Sequence, residues 1–183
     1  MVELVPVGPE DRDRLREWRN DPEVARFMYT THEIGAEEHA RWFAGLLADD
    51  RRRAWVVRMD DLPVGAAFVT DLDRANRRAT WAFYLADPST RGRGVGSAVE
   101  FLVLDHAFGE LGLHKLCCEV LSFNEAVVAM HTKFGFRPQG VLQDHYRRDG
   151  EWVHVHQLAM WADDWAKRRA GFEEKLRARG LLA

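Results

Sequence analysis

Arg91-Gly92-Arg93-Gly94-Val95-Gly96-Ser97-Ala98 is the stretch on which the reading of this chain turns. An extended apolar run, Thr80-Trp81-Ala82-Phe83-Tyr84-Leu85, leads into it, and a segment with helical spacing, about Gly94 to Leu111, leads out. Strand, glycine-rich turn and helix start together make an anion pocket from backbone alone. Glycine lets the chain approach a ligand closely and take angles that a Cβ forbids. The first amides of a helix lack internal partners and point at whatever lies above them. Arg91 and Arg93 add positive charge, so the turn reads as a cradle for a pyrophosphate.

The three strands before the turn say which pyrophosphate it is not. Ala54–Met59, Val64–Asp71 and Arg78–Leu85 carry the period and turn residues of a meander, with turns at Asp60–Pro63 and Asn76–Arg78. A dinucleotide fold needs its glycines after the first strand and an acid ~20 residues later. A P-loop needs Gly-Lys-Ser/Thr. Upstream, Glu3–Val7 reads as a strand, Gly8-Pro9-Glu10-Asp11 opens a helix, and Asp21-Pro22 breaks it and starts another. Gly35 to Ala48 is helical, with His39, Trp42, Phe43, Leu46 and Leu47 on one side. Downstream come a helix with Val95, Val99, Leu102, Val103, Ala107 and Leu111 on its apolar face, a stop at Gly112, and a strand from Lys115 to Leu121. Asn124 caps a helix from Glu125 to Lys133. A hairpin, Val141–Arg147 and Trp152–Met160, turns at Asp149-Gly150. The order predicts one α/β domain over 1–183, a mixed sheet with helices on both faces, and 162–183 as a charged tail helix.

The totals narrow the partners. At 183 residues the chain can bury one sizeable core, and 46% hydrophobic with 30% charged residues is an ordinary soluble balance. A net charge of −3 argues against general nucleic-acid binding. Apolar runs stay short of the ~18 residues of a membrane span, and the first residues lack a signal-peptide core. The adjacent Cys117 and Cys118 suit neither an ordinary disulfide nor a metal cluster, so no metal is expected and a reducing cytoplasm fits.

The turn motif alone is weak, since roughly 0.2–0.4 chance matches are expected at this length. Its surroundings add to it. About one helix and one strand further on stand Asn124, Ala126, Met130-His131, Lys133 and Phe134-Gly135-Phe136. This arrangement resembles the GNAT superfamily of acetyl-CoA-dependent N-acetyltransferases, over nearly the whole chain in element order. The resemblance implies a mainly antiparallel sheet of about seven strands. It implies acetyl-CoA as acetyl donor, with Arg91, Gly92, Arg93, Gly94, Val95, Gly96 and Ser97 on its pyrophosphate and Asn124 and Lys133 beside it. It also implies that Phe83 and Leu85 turn backbone groups to the acetyl carbonyl, where two neighbouring strands part. His131 stands where many members have the tyrosine that protonates the leaving thiolate. Imidazole can do that work near neutral pH. An attacking amine must lose a proton, and Glu119, on the strand beside the parting, is the candidate base.

The N-terminal third is similar to the pseudaminic-acid-pathway acetyltransferases, the PseH type. It carries Trp18-Arg19-Asn20, Met28-Tyr29, Ile34 and His39-x-x-Trp42-Phe43. Ser122–Val128 and Asp144–Arg147 add to the likeness. Such enzymes acetylate UDP-4-amino-4,6-dideoxy-N-acetyl-β-L-altrosamine. The likeness implies that Arg19, Met28, Tyr29, His39, Thr70 and Tyr84 face the nucleotide sugar, in a monomer or homodimer. Three other readings stand beside it. One is a ribosomal-protein-type N-terminal or lysine acetyltransferase, and another is a domain that binds CoA without catalysis. The third is polyamine or drug acetylation, for which the sequence shows no acidic cluster.

Overall fold

The computed structural model describes Met1–Ala183. Seven strands form one sheet: β1 Val2–Pro6, β2 Arg53–Met59, β3 Leu62–Asp73, β4 Arg78–Leu85, β5 Lys115–Leu121, β6 Arg137–Arg148 and β7 Glu151–Trp161, in the spatial order β1-β2-β3-β4-β5-β7-β6. Every pairing is antiparallel except β4 with β5. The α/β class, the mixed sheet of seven strands and the helices on both faces agree with the sequence reading.

Each face of the sheet has its own core. On one side α1 Arg12–Asn20, α2 Pro22–Ala25 and α3 Ala36–Ala48 bring Leu15, Val24, Phe43 and Leu46 onto Ala66 and Tyr84. On the other, α4 Val95–Asp105, α5 Glu125–Phe134 and α6 Ala162–Ala178 cover Trp81, Val57, Leu116 and Met160. Strand alternation explains the division: Tyr84 faces the first core, while its neighbours Phe83 and Leu85 pack toward the second.

Several local expectations are corrected. The first loop of the meander is a two-residue turn, Asp60-Asp61, both at positive φ (51° and 65°). Leu62 and Pro63 already belong to β3, because a tight turn with left-handed residues matches the twist of the strands it joins. The helix after the glycine turn stays α-helical only to Asp105 and widens into a π-turn over His106–Glu110 before Gly112. β6 starts at Arg137, not Val141. Asn124 makes no side-chain capping bond; its backbone oxygen instead accepts from the Val127 and Val128 amides.

The charged tail is a structural element of the second core. Trp165 and Leu176 are buried, Phe172 stacks on Phe134, and Trp165 Nε1 and Arg169 both donate to Asp105 of α4. The chain after α6 turns back at Gly180, buries Leu181, and offers the Leu181 carbonyl to the Val2 amide.

Candidate active site

The β4–β5 pair is where the sheet opens. Parallel pairing holds only Arg78, Ala79 and Thr80 against Lys115, Leu116 and Cys117. Beyond that point β4 stays with β3 and β5 with β7, so the two strands part. The Ala86 amide donates to Val64 of β3 (2.8 Å), and Tyr84 lies opposite Ala66 in the same ladder. Antiparallel alternation then turns the Phe83 and Leu85 backbone groups to the opposite side, into the opening.

A cavity of about 610 Å³ lies on one side of the parting, lined by Phe83, Leu85, Arg91, Gly92, Gly94, Val95, Gly96, Ser97 and Asn124. Ala98 is the first amide of α4 to find a helical acceptor, Gly94 O at 3.1 Å. The Val95, Gly96 and Ser97 amides before it belong to the unpartnered first turn. Gly94 has φ +84°, and a Cβ there would lie 2.8 Å from the Arg179 guanidinium. Free amides, a left-handed glycine and a wall of mixed polarity fit the pyrophosphate and pantetheine of an acyl-CoA. Arg91 is held at 2.7 Å by Glu23 of α2, across the mouth of this cavity.

A second cavity, about 330 Å³, continues through the parting between Trp81–Phe83 and Cys118–Leu121. Arg19, Phe27, Met28, Tyr29, Asn124 and His131 complete its walls. Glu119 stands at its edge with both carboxylate oxygens engaged. Tyr29 donates its hydroxyl to Oε2 (2.8 Å), and Gln157 Nε2 donates to Oε1 (3.0 Å). Tyr29 also stacks on Tyr146, with ring centroids 4.0 Å apart. Burial and the Glu119 carboxylate push the Tyr29 phenol upward, so it stays a donor. His131 is 3% exposed, with its ring edge-on to Trp81. Its Nδ1 lies 2.9 Å from Oε1 of Glu100, a fully buried carboxyl.

Arg19 differs from every other cation near the opening. It forms no ion pair, its Nε is buried without a partner, and burial pushes its pKa down. It faces both the second cavity and a smaller one of about 170 Å³, lined by Thr30, Ile34, Glu38, His39 and Trp42. His39 Nε2 and the Tyr84 hydroxyl are likewise buried and unpartnered. Burial, with Arg16 next, lowers the His39 pKa, and burial raises that of Tyr84.

Most residues singled out in the sequence converge here, with three exceptions. Thr70 lies on β3 opposite Thr80, at the paired end of the strands, and its hydroxyl donates to Asp71. Lys133 lies on the exposed side of α5 and lines neither cavity. Arg93 turns away from the cavity toward Asp60, 3.6 Å away. A long side chain on a tight turn or an exposed helix face follows the nearest carboxylate or the solvent, so spacing alone does not aim it.

Four residues in or behind the site were not found by sequence reasoning. Arg179, after α6, lines the first cavity and donates to the Arg93 carbonyl (3.1 Å). Gln157 of β7 holds Glu119. Arg148 of β6 donates to the Arg26 carbonyl (2.8 Å) and to the Met28 carbonyl, tying the loop after α2 over the opening. Glu100 lies three and four residues before the buried Val103 and Leu104. A carboxylate on the apolar stripe of a helix is a signal that could have found it.

Three comparisons give this geometry relatives. The chain is 24% identical over 160 residues to the spermidine N(1)-acetyltransferase of Escherichia coli K12, covering 87% of this chain and 86% of that protein. It is 24% identical over 140 residues to the acetyltransferase PseH of Campylobacter jejuni, covering 76% and 85%. The fold matches a crystal structure of spermidine N-acetyltransferase from Vibrio cholerae in complex with CoA and spermine, with a TM-score of 0.83 and 18% identity over 90% of this chain and 98% of that one. The model of the acetyltransferase (GNAT) domain spans residues 2–137, from the first strand through the glycine turn and both parted strands, and so the chain belongs to that family of acetyl-CoA-dependent amine N-acetyltransferases.

Proposed function

We propose that the acceptor is an amine on a phosphate-bearing carrier, in particular the 4-amino group of a UDP-linked 4-amino-4,6-dideoxy sugar, UDP-4-amino-4,6-dideoxy-N-acetyl-β-L-altrosamine. One observation carries this reading: Arg19 is half-buried without an anion, its Nε buried and unpartnered, and it opens on the cavity that also holds Glu119 and His131. A buried cation is tolerated where a partner satisfies it. A phosphate offers the oxygen geometry that a guanidinium matches. His39 and Tyr84 supply further donors in the same region. Met28 and Tyr29 supply apolar and aromatic surface for the sugar or base.

Acetyl-CoA supplies the activated acyl group. The chain's own residues do the rest. Val95, Gly96 and Ser97 amides and Arg91 hold the phosphates, and Phe83 and Leu85 backbone groups face the carbonyl being attacked. Glu119 takes the proton of the attacking amine, directly or through water, with its position set by Tyr29 and Gln157. His131 gives a proton to the departing sulfur. The Asn124 side chain, which makes no capping bond to its own helix, faces both cavities and holds the pantetheine arm or a water.

Polyamine acetylation is the second reading, favoured by the spermidine N-acetyltransferases among the relatives. Its difficulty is Arg19, which puts an unneutralised positive charge where a polycation would lie. A panel of acceptors separates the two. With acetyl-CoA, CoA release is expected with the UDP-4-amino sugar and not with spermidine or a ribosomal peptide. Turnover with spermidine and none with any UDP-amino sugar reverses the order.

A further inference from the structure

Glu100 has no role in the chemistry outlined so far, and its placement is hard to explain by stability. It lies on α4, 0% exposed, beneath the parted strands. One carboxyl oxygen meets His131 Nδ1 at 2.9 Å, and the other has no partner. Burial pushes this carboxyl up, and His131 holds it back. Apolar residues of similar volume in place of such a pair are often as stable or more stable. The imidazole, by contrast, is shared between two environments. Nδ1 turns to Glu100 and the dry core, while the ring forms part of the wall of the acceptor cavity beside Glu119, Tyr29 and Arg19. Cys118, next to Glu119 on β5, feels the charge of both carboxylates, and burial raises its pKa well above normal. It therefore stays a thiol and does not compete for the proton.

We infer that Glu100 is the positioning residue of a buried Glu100–His131 dyad, which holds the ring by Nδ1 and keeps Nε2 protonated toward the cavity for delivery to the CoA sulfur. The inference rests on His131 being the proton donor. In the loaded dyad one proton lies between Nδ1 and Oε1 and a second sits on Nε2. As the amine nitrogen bonds to the acyl carbon and the carbon–sulfur bond breaks, the sulfur takes the Nε2 proton. The amine's own proton passes to Glu119. The products are the amide and the CoA thiol, and solvent returns the proton from Glu119 to Nε2. The dyad keeps its central proton throughout, so the dry side of the ring never has to separate charge. A phenol needs no such partner to be a donor at neutral pH. An imidazole does, because only its doubly protonated form, or one of its two neutral tautomers, carries a proton on Nε2.

Glu100→Gln tests this, since the amide still accepts from Nδ1–H but carries no charge. The expected kcat loss is about 10- to 100-fold, a part of the ~10²–10⁴ that general acid catalysis contributes. The KM values for both substrates stay within about threefold. The alkaline limb of the kcat–pH profile moves down by about one unit, because loss of a neighbouring anion makes the protonated ring harder to keep. Ring-¹⁵N spectra of the ligand-free protein give a readout independent of turnover. Loss of the Nε2 proton on raising the pH occurs about one unit earlier in the variant than in the parent. Glu100→Asp, which keeps the charge, returns part of the kcat and restores the limb. Melting temperature is expected to fall in Glu100→Gln, since a buried pair loses one charged partner, while the amide keeps the hydrogen bond to Nδ1–H. If that variant does not fold, the same two measurements on Glu100→Met, which also removes the charge, decide, with an unmoved profile and unmoved ring spectra counting against the dyad. A Glu100→Gln enzyme with the parent's kcat, pH profile and ring spectra overturns the inference and leaves Glu100 a packing residue. Full kcat in His131→Phe would overturn the underlying reading of His131 as well.

Discussion

The two cavities on either side of the parted strands are built by different means. The larger has a backbone end: a glycine turn, the unpartnered amides of one helix, and a left-handed residue at φ +84°. The smaller is made of side chains from α1, the loop after α2, β4, β5 and α5, which meet only when the chain is folded. A backbone cradle tolerates sequence change as long as the glycines remain. A side-chain cavity is redefined by each substitution in its wall. In the proposed function the first takes the acetyl donor common to the family, and the second takes the acceptor particular to this protein.

Substitutions should affect one cavity and spare the other. His131→Phe, on the acceptor side, is expected to lower kcat by about 10²–10⁴. Its Kd for acetyl-CoA, measured by calorimetry, should stay within about threefold; a large change in Kd with kcat kept would move His131 into the cofactor cavity. Arg19→Ala should raise the acceptor KM by about 10- to 100-fold, the worth of a hydrogen bond to a charged group. Arg19→Met sharpens the point: it removes a half-buried charge that has no ion-pair partner, so the melting temperature should hold or rise while the acceptor KM rises. A fall in stability together with an unchanged KM would make Arg19 a structural residue.

On the cofactor side the expected effects are smaller. Gly94→Ala puts a Cβ at positive φ and against the Arg179 guanidinium, and should weaken acetyl-CoA binding about tenfold without changing the acceptor KM. Glu23→Gln releases Arg91 from its ion pair across the mouth of the cavity. Exposed ion pairs contribute at most ~1 kcal/mol, so acetyl-CoA should bind about two- to threefold more tightly, with the gain fading at high salt. Weaker binding in Glu23→Gln would show that the pair orders Arg91 for the phosphate instead of competing for it.

Elements with strong local signals were legible in the sequence. β5 follows its alternating pattern over Lys115–Leu121, and the meander and the glycine turn fall where spacing put them. Errors cluster where tertiary contacts outweigh local ones. Asn124 caps its helix through the backbone oxygen alone, and its side chain is left to the cavities. The charged tail helix carried no local signal of where it packs, and the fold pins it on the domain by Trp165, Leu176 and Leu181. Glu119 was visible as a carboxylate near the parting, but Tyr29 and Gln157, which fix it, come from 90 and 38 positions away.

The amino-acid sequence by itself determined the fold class and the place of the glycine turn, because glycines, strand period and helix starts act over a few residues; the acetyl donor followed from the family resemblance. The tertiary structure alone decided which charges are paired. It left Arg19 without an anion, bound Glu119 to two donors, and buried Glu100 against His131, 31 residues away. Pairing is a matter of a few ångströms between segments distant in the chain, and the same residues in solvent would carry none of these meanings. The glycine turn from Arg91 to Ser97 is legible within a few residues; the second cavity exists only where α1, β5 and α5 meet.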